Sequence, residues 1–287
     1  MSAATNLPNY PAWAYYYETP WTPETFSPEA TPYFGTNLWP TLTDDQKTAL
    51  TWGFIQINAE VIIHLEQGLL IASREMRRRG VVIDEGLKTF IDDEIVHIDA
   101  FRDYLVKGSE GAWPENSLLL YKQDRYRKFC AWLYRWEPLC VFLPGAKSEI
   151  YAVQYHVAVR AQEKHRSSKW AELVHLHAID EASHITKDFE VLRTALASMS
   201  LARRLKLCLA TFLCVLMTQY SLALPTYRLI KRVFPRANLL QRIHRTYRFA
   251  AWVLWTHPAF PATRKIFSRS LKRESDSFFR LFAFLGW

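Results

Sequence analysis

The chain is poor in glycine, with nine in 287 residues, and few of its segments alternate apolar with polar residues. Both shortages argue against a β-rich fold, which needs tight turns and strands of period two. Cysteine is scarce as well. Cys130, Cys140, Cys208 and Cys214 are the four present, and their spacing matches neither a zinc site nor a redox pair, so reduced core thiols are expected. No basic stretch followed by an apolar run opens the sequence, so a secretory signal is not expected. A cytoplasmic location is the resulting expectation. No solenoid-type repeat, nucleic-acid recognition motif, or flavin or nicotinamide fingerprint is visible.

What is abundant is apolar and aromatic surface. Hydrophobic residues make up 49% and aromatic residues 15%, which argues against disorder, and the chain is long enough for one large helical domain with a well-buried core. Charge is unevenly placed. The net charge is +8, yet residues 200–287 hold 16 Lys/Arg against Glu274 and Asp276, leaving −6 for the first 199 residues and +14 for the rest. Such a basic third either meets something anionic, complements the acidic part, or is a solvated face. Nucleic acid is not expected as the partner. The run Leu207–Leu224 is apolar enough to suggest a membrane span. Thr211, Thr218, Gln219 and Ser221 interrupt it and Pro225 follows, so a buried core helix is expected rather than a span.

Residues 1–42 hold seven of the fourteen prolines together with Trp13, Tyr15, Tyr16, Tyr17, Trp21 and Trp39. This composition predicts an extended arm wrapped on the domain, or an arm that binds a partner. Thr43-x-x-Gln46 reads as a capping box opening a long helix to about Arg79, which Gly80 ends. A second helix is expected from about Asp84 to Val106, then a loop over 108–117 and an aromatic helical segment around 118–136. Pro138, Pro144 and Gly145 should break the chain before helices at Lys147–Lys164 and Lys169–Ala197. At least two more helices follow, interrupted near Pro225, Pro235 and His257–Pro261. The expected organisation is an arm (1–42) and a single helical domain (43–287), with a metal-binding bundle at about 43–197.

The chemistry concentrates in His177-Ala178-Ile179-Asp180-Glu181-Ala182-Ser183-His184. His177, Glu181 and His184 stand at i, i+4 and i+7, on one helical face. Upstream, Asp93-Glu94-Ile95-Val96-His97 repeats the D-E-x-x-H pattern. Two E-x-x-H helices, each joined by a Glu from another helix, form the ligand set of carboxylate-bridged di-iron bundles. In an antiparallel hairpin, residues equidistant from the turn share a height. Glu60 pairs with Glu94 about position 77, and Glu149 with Glu181 about position 165. The inferred ligands are therefore Glu60, Glu94, His97, Glu149, Glu181 and His184, with His177 as a seventh. Glu163 and Glu137 are alternatives to Glu149 at poorer heights. Glu66 and His64 read as residues outside the ligand set, and His156, His165 and His175 as structural or exposed. Carboxylates and imidazoles without thiolate suit two iron ions, or manganese, better than zinc. Asp93 and Asp180 are placed to hold the ring N–H of a ligating histidine.

The order Glu60, D-E-x-x-H at 93–97, Glu149 and H-x3-E-x2-H at 177–184 resembles the di-iron arylamine N-oxygenases. His177 is the discriminating match, since simpler ferritin-like sites have six protein ligands. The resemblance covers about 60–184. It implies an all-α, ferritin-like four-helix di-iron bundle, here with an N-terminal arm and additional C-terminal helices. It further implies two Fe ions, O2 as cosubstrate and a peroxo-diferric oxidant. That oxidant would carry an amine to the hydroxylamine, nitroso or nitro level in a biosynthetic pathway. Electrons would come from an external donor, and the amine would be a small molecule or an amino acid tethered to a carrier protein. A homodimer is the expected assembly. The rival readings are a di-iron C–H hydroxylase or desaturase, a ferritin-like iron-handling protein, and a basic helical interaction module without metal. In the basic third, Arg242, Arg245 and Arg248 form a cationic stripe at i, i+3 and i+6. It could orient a substrate carboxylate, dock an acidic carrier, or be a solvated face.

Overall fold

The computed structural model describes residues 11–18, 21, 34, 36–80, 85–119, 124–161, 168–255 and 259–285. Among them there is no strand, and ten α-helices make an all-α helical bundle. Helix α2 (Asp44–Arg78) opens as the sequence predicts. The Thr43 hydroxyl accepts from the Gln46 amide and the Gln46 side chain accepts from the Thr43 amide, closing a capping box. It ends at Arg79 and Gly80, where φ of +75° favours glycine. Helix α3 (Glu85–Gly108) returns along it. Helices α5 (Phe142–Ala161) and α6 (Lys169–Ala197) make a second hairpin, and α3 packs on α6 while α2 packs on α5. One apolar cluster runs through the molecule from Trp13 to Phe282 and includes Leu50, Ile63, Phe101, Tyr104 and Leu192.

Proline misleads the sequence reading at several points. Helix α1 (Pro11–Glu18) lies in the segment expected to be extended. Pro11 starts that helix, a position where a missing N–H costs nothing. Most of the remaining arm falls outside the described residues. Helix α5 begins at Phe142 and runs through Pro144 and Gly145. Pro144 sits in the first turn, where the amide has no intrahelical partner to lose. Helix α4 (Asp124–Trp136) packs on α2, and residues 118–119, expected in this helical segment, are a bend.

Helix α7 (Leu201–Val233) continues through the buried Pro225. Burial in a packed groove outweighs the lost hydrogen bond there. The expectation that 207–224 is a buried core helix holds for one face only. Of the most apolar 18-residue window of α7, 33% is buried, against 72% for that of α2. Helices α8 (Leu239–Trp255), α9 (Ala259–Arg273) and α10 (Ser277–Phe284) complete the chain, with α8 on α7 and α9 on α5.

Candidate metal centre

The two hairpins bring seven buried side chains into two groups that could hold metal ions. Glu66, His97, His177 and Glu181 form one, and Glu94, Glu149, Glu181 and His184 form the other, with the donor atoms of each within 4.8 Å of one another. Glu181 belongs to both. Six of the seven ligands expected from sequence are therefore gathered: Glu94, His97, Glu149, His177, Glu181 and His184.

Glu60 is not among them. It is fully buried, but its Oε1 accepts from Gln56 Nε2 (2.8 Å), Trp113 Nε1 (3.1 Å) and the Leu118 amide (3.1 Å), while Oε2 accepts from the Leu119 amide (2.5 Å). This carboxylate anchors the 113–119 segment instead of facing the centre. Glu66 takes the expected role from two turns further along α2. The packing of α2 on α3 sets Glu66 Oε1 3.5 Å from His97 Nδ1, so Glu66 and not Glu60 is the α2 carboxylate level with the D-E-x-x-H motif of α3. In the second hairpin Glu149 and Glu181 share one donor group, and their pairing stands. Glu137 is buried elsewhere, with Lys206 Nζ at 3.3 Å, and Glu163 and His165 lie outside the described residues. His64 is buried outside both groups, and His156 and His175 pair with each other at 3.3 Å.

The two D-E-x-x-H motifs hold each other reciprocally. Asp180 Oδ2 lies 3.0 Å from His97 Nε2, and Asp93 Oδ2 lies 3.0 Å from His184 Nε2. An ionised carboxylate only accepts, so each Nε2 carries the proton and each Nδ1 is turned inward. His97 Nδ1 is 3.5 Å from both Glu66 Oε1 and Glu181 Oε1, and His184 Nδ1 is 3.3 Å from Glu94 Oε1 and Glu181 Oε2. His177 Nε2 is 2.6 Å from Glu181 Oε1 and 3.0 Å from Glu66 Oε1. Trp13, from the N-terminal arm, donates its indole N–H to Asp180 at 3.0 Å, and its ring lies 5.6 Å from that of His97. Phe90 and Phe101 cover His184 and His177, at ring separations of 4.5 and 5.0 Å.

One participant escaped the sequence reading. Asp188 is fully buried beside Glu149. Its signal was present, because His177, Glu181, His184 and Asp188 continue one face at i, i+4, i+7 and i+11. Five carboxylates (Glu66, Glu94, Glu149, Glu181 and Asp188) thus meet three imidazoles. Even three imidazolium charges leave two negative charges over.

The protonation equilibria register that excess. Burial pushes the Glu94 carboxyl up to about 7, with Glu66 and Glu181 adding to it. Burial, and then Asp188 and Glu181, push Glu149 well up; burial does the same to Asp188, where the Glu149 carboxyl opposes it and Glu94 and Glu181 add to it. Burial alone would lower His97, but Asp180, Glu66 and Glu181 outweigh it and hold the ring well above its ordinary value. Burial opposes ionisation of Glu181 too, yet His177, His184 and His97 keep its carboxyl below the usual range. Apart from the ion-pair contacts of the two Nδ1 atoms at 3.3–3.5 Å, no hydrogen bond among the described residues meets His97 Nδ1, His184 Nδ1, Glu66 Oε2, Glu181 Oε2 or either oxygen of Glu94, Glu149 and Asp188. Buried polar atoms are normally paired, and inward-facing orphans on acidic and imidazole groups fit multivalent cations.

The Arg242–Arg248 stripe on α8 is spent partly within its own region. Arg242 Nη2 donates to the Pro235 carbonyl, and the Arg245 guanidinium lies 3.9 Å over the Phe234 ring. A cleft of about 840 Å³ opens along α2, α3 and α4, with Ile71, Ile98 and Tyr134 in its wall and Arg74, Arg102, Lys128 and Arg135 among its lining residues. Comparison with family models, with curated proteins and with solved structures finds no match.

Proposed function

We propose that this chain is a non-haem di-iron oxygenase acting on an amine nitrogen, as the arylamine N-oxygenases that its motifs resemble do. The observation that carries the reading is the pair of buried donor groups meeting at Glu181, with His177 in one of them. Hard oxygen donors and imidazoles without thiolate suit iron or manganese. When bound, the metal pair would supply O2 activation and the redox change.

The remainder is the work of the chain's own residues. Asp180 and Asp93 fix the tautomers of His97 and His184 so that Nδ1 faces inward. Glu66 and His177 would hold one ion, Glu94 and Glu149 the other, and Glu181 both. Trp13, Phe90 and Phe101 pack against the imidazoles and exclude water from them. His177 gives one group two nitrogen donors where the other has one, and the amine chemistry in this reading rests on that additional imidazole.

Protein expressed with supplemented iron should contain about two iron atoms per chain. A single zinc, or no metal, would reject the reading. Given reductant, O2 and a library of amines, it should yield N-oxygenated products by mass spectrometry. Products oxidised at carbon would move the assignment to a hydroxylase or desaturase. His177→Ala should retain iron while N-oxygenation falls and the iron spectrum changes. Wild-type rates in that variant would return His177 to a packing role.

A further inference from the structure

Helix α7 leaves one face uncovered. Leu201, Leu205, Leu209, Phe212, Leu216 and Tyr220 are each 46% to 74% exposed. Their spacings of four, four, three, four and four place them on a single helical stripe. At about 1.5 Å per residue the stripe is roughly 28 Å long. Soluble surfaces carry scattered apolar residues, but a continuous strip of this length marks an interaction site. The opposite face of the same helix, with Leu207, Ala210, Thr211 and Cys214, is buried, and α7 packs on α2. The helix is therefore packed on the bundle along one face.

Charge identifies what covers the stripe. No Asp, Glu, Lys or Arg occurs between Lys206 and Arg228, while exposed Arg203 precedes this run in the chain and exposed Lys231, Arg232 and Arg236 follow it, with Lys231 continuing the face of the stripe beyond Tyr220. The segment 200–287 carries +14 overall, and one of its two acids, Asp276, is bound by Arg204 at 2.8 Å. A second copy docked here would bring like charge against like. Nucleic acid would satisfy the cations and leave six large apolar side chains in water. A bilayer with anionic headgroups satisfies both, taking the apolar stripe at the acyl boundary and the cations at the headgroups. Helix α8 continues the pattern, with exposed Leu239, Leu240, Ile243 and Tyr247 beside exposed Arg248.

We infer that α7 lies in the plane of an anionic membrane surface and docks the protein there through its Leu201–Tyr220 stripe and flanking cations. This inference is independent of the metal centre.

Vesicle flotation of the full chain tests it. Wild type should float with mixed phosphatidylcholine–phosphatidylglycerol vesicles and remain largely behind with phosphatidylcholine alone, and its binding should weaken as salt screens the cations. The triple variant Leu209→Ser, Phe212→Ser, Leu216→Ser should partition at least about tenfold less, with unchanged circular dichroism and melting. A separate variant, Arg203→Gln, Lys231→Gln, Arg236→Gln, should lose the preference for anionic vesicles, and it carries the test if the serine variant misfolds. Wild type that floats with neither vesicle overturns the inference, as does a serine variant that folds and floats like wild type. A dimer in light scattering that the serine variant converts to monomer also overturns it, because the stripe would then belong to a second copy.

Discussion

Glu60 and Glu66 are buried carboxylates two helical turns apart with opposite roles. Four N–H groups surround Glu60, whereas Glu66 faces His97 and His177. Glu66→Ala should lower iron content markedly, measured as metal per chain, and leave the melting of metal-depleted protein little changed. Glu60→Ala should behave the other way. It strands buried donors, each costing about 1–3 kcal/mol without an acceptor, so denaturant unfolding should show a loss of about 3 kcal/mol or more while folded protein still loads iron. Equal iron loss in both variants would show that Glu60 also serves the metals.

Between helices, close approach decides. Gly53 on α2 faces Leu229 on α7, and an added Cβ would lie 2.2 Å from Leu229 Cδ1 and 2.9 Å from its Cγ. Leu229 is buried and cannot swing away. Gly53→Ala should therefore destabilise by about 1–3 kcal/mol from overpacking, against a helix-propensity gain of up to about 1 kcal/mol. An unchanged or raised midpoint in thermal unfolding would show that α2 and α7 are not so tightly apposed. Lys147 on α5 lies 5.7 Å from the Phe267 ring of α9. Burial, helped by Arg264, pulls its ammonium pKa from 10.5 down to about 8. Between those two values the folded chain has lost a proton that the unfolded chain keeps, so stability should rise with pH across that window. Below about 8 the penalty for the buried charge is constant. Lys147→Met should add about 1–2 kcal/mol at neutral pH and flatten the rise in a pH series of denaturation curves. An undiminished rise would place its origin in another group.

For the whole molecule, the buried centre ties both hairpins and the N-terminal arm together. Cations binding the native centre more tightly than the unfolded chain raise stability by mass action. Chelator treatment should lower the melting temperature by about 5 °C or more and weaken protection of the indole N–H of Trp13, which meets Asp180 and thereby His97. A chelated protein that melts with the iron-loaded one would separate the centre from fold stability.

Local pattern was enough for the helices that matter to the site. The Thr43 capping box, the Gly80 stop and the 3.6-residue periodicity are short-range signals, so the start of α2, the class of fold and both ends of α6 were legible before any contact was known. Six of the seven buried donors that could hold metal were legible too, because helical spacing puts His177, Glu181 and His184 on one face and the repeated D-E-x-x-H marks its counterpart. What proline permits depends on position and burial, so α1, the early start of α5 and the passage of α7 through Pro225 were not. Choosing Glu66 over Glu60 required the register in which α2 packs on α3, which spacing within one segment does not carry. Trp13 joins the centre only through packing of α1 on α6, while helical spacing places Asp188 on the right face and the packing of α5 on α6 sets it beside Glu149. The sequence by itself determined the helices and the donor types; tertiary packing alone decided which carboxylates lose water and protein partners together, because desolvation is a property of neighbours in space.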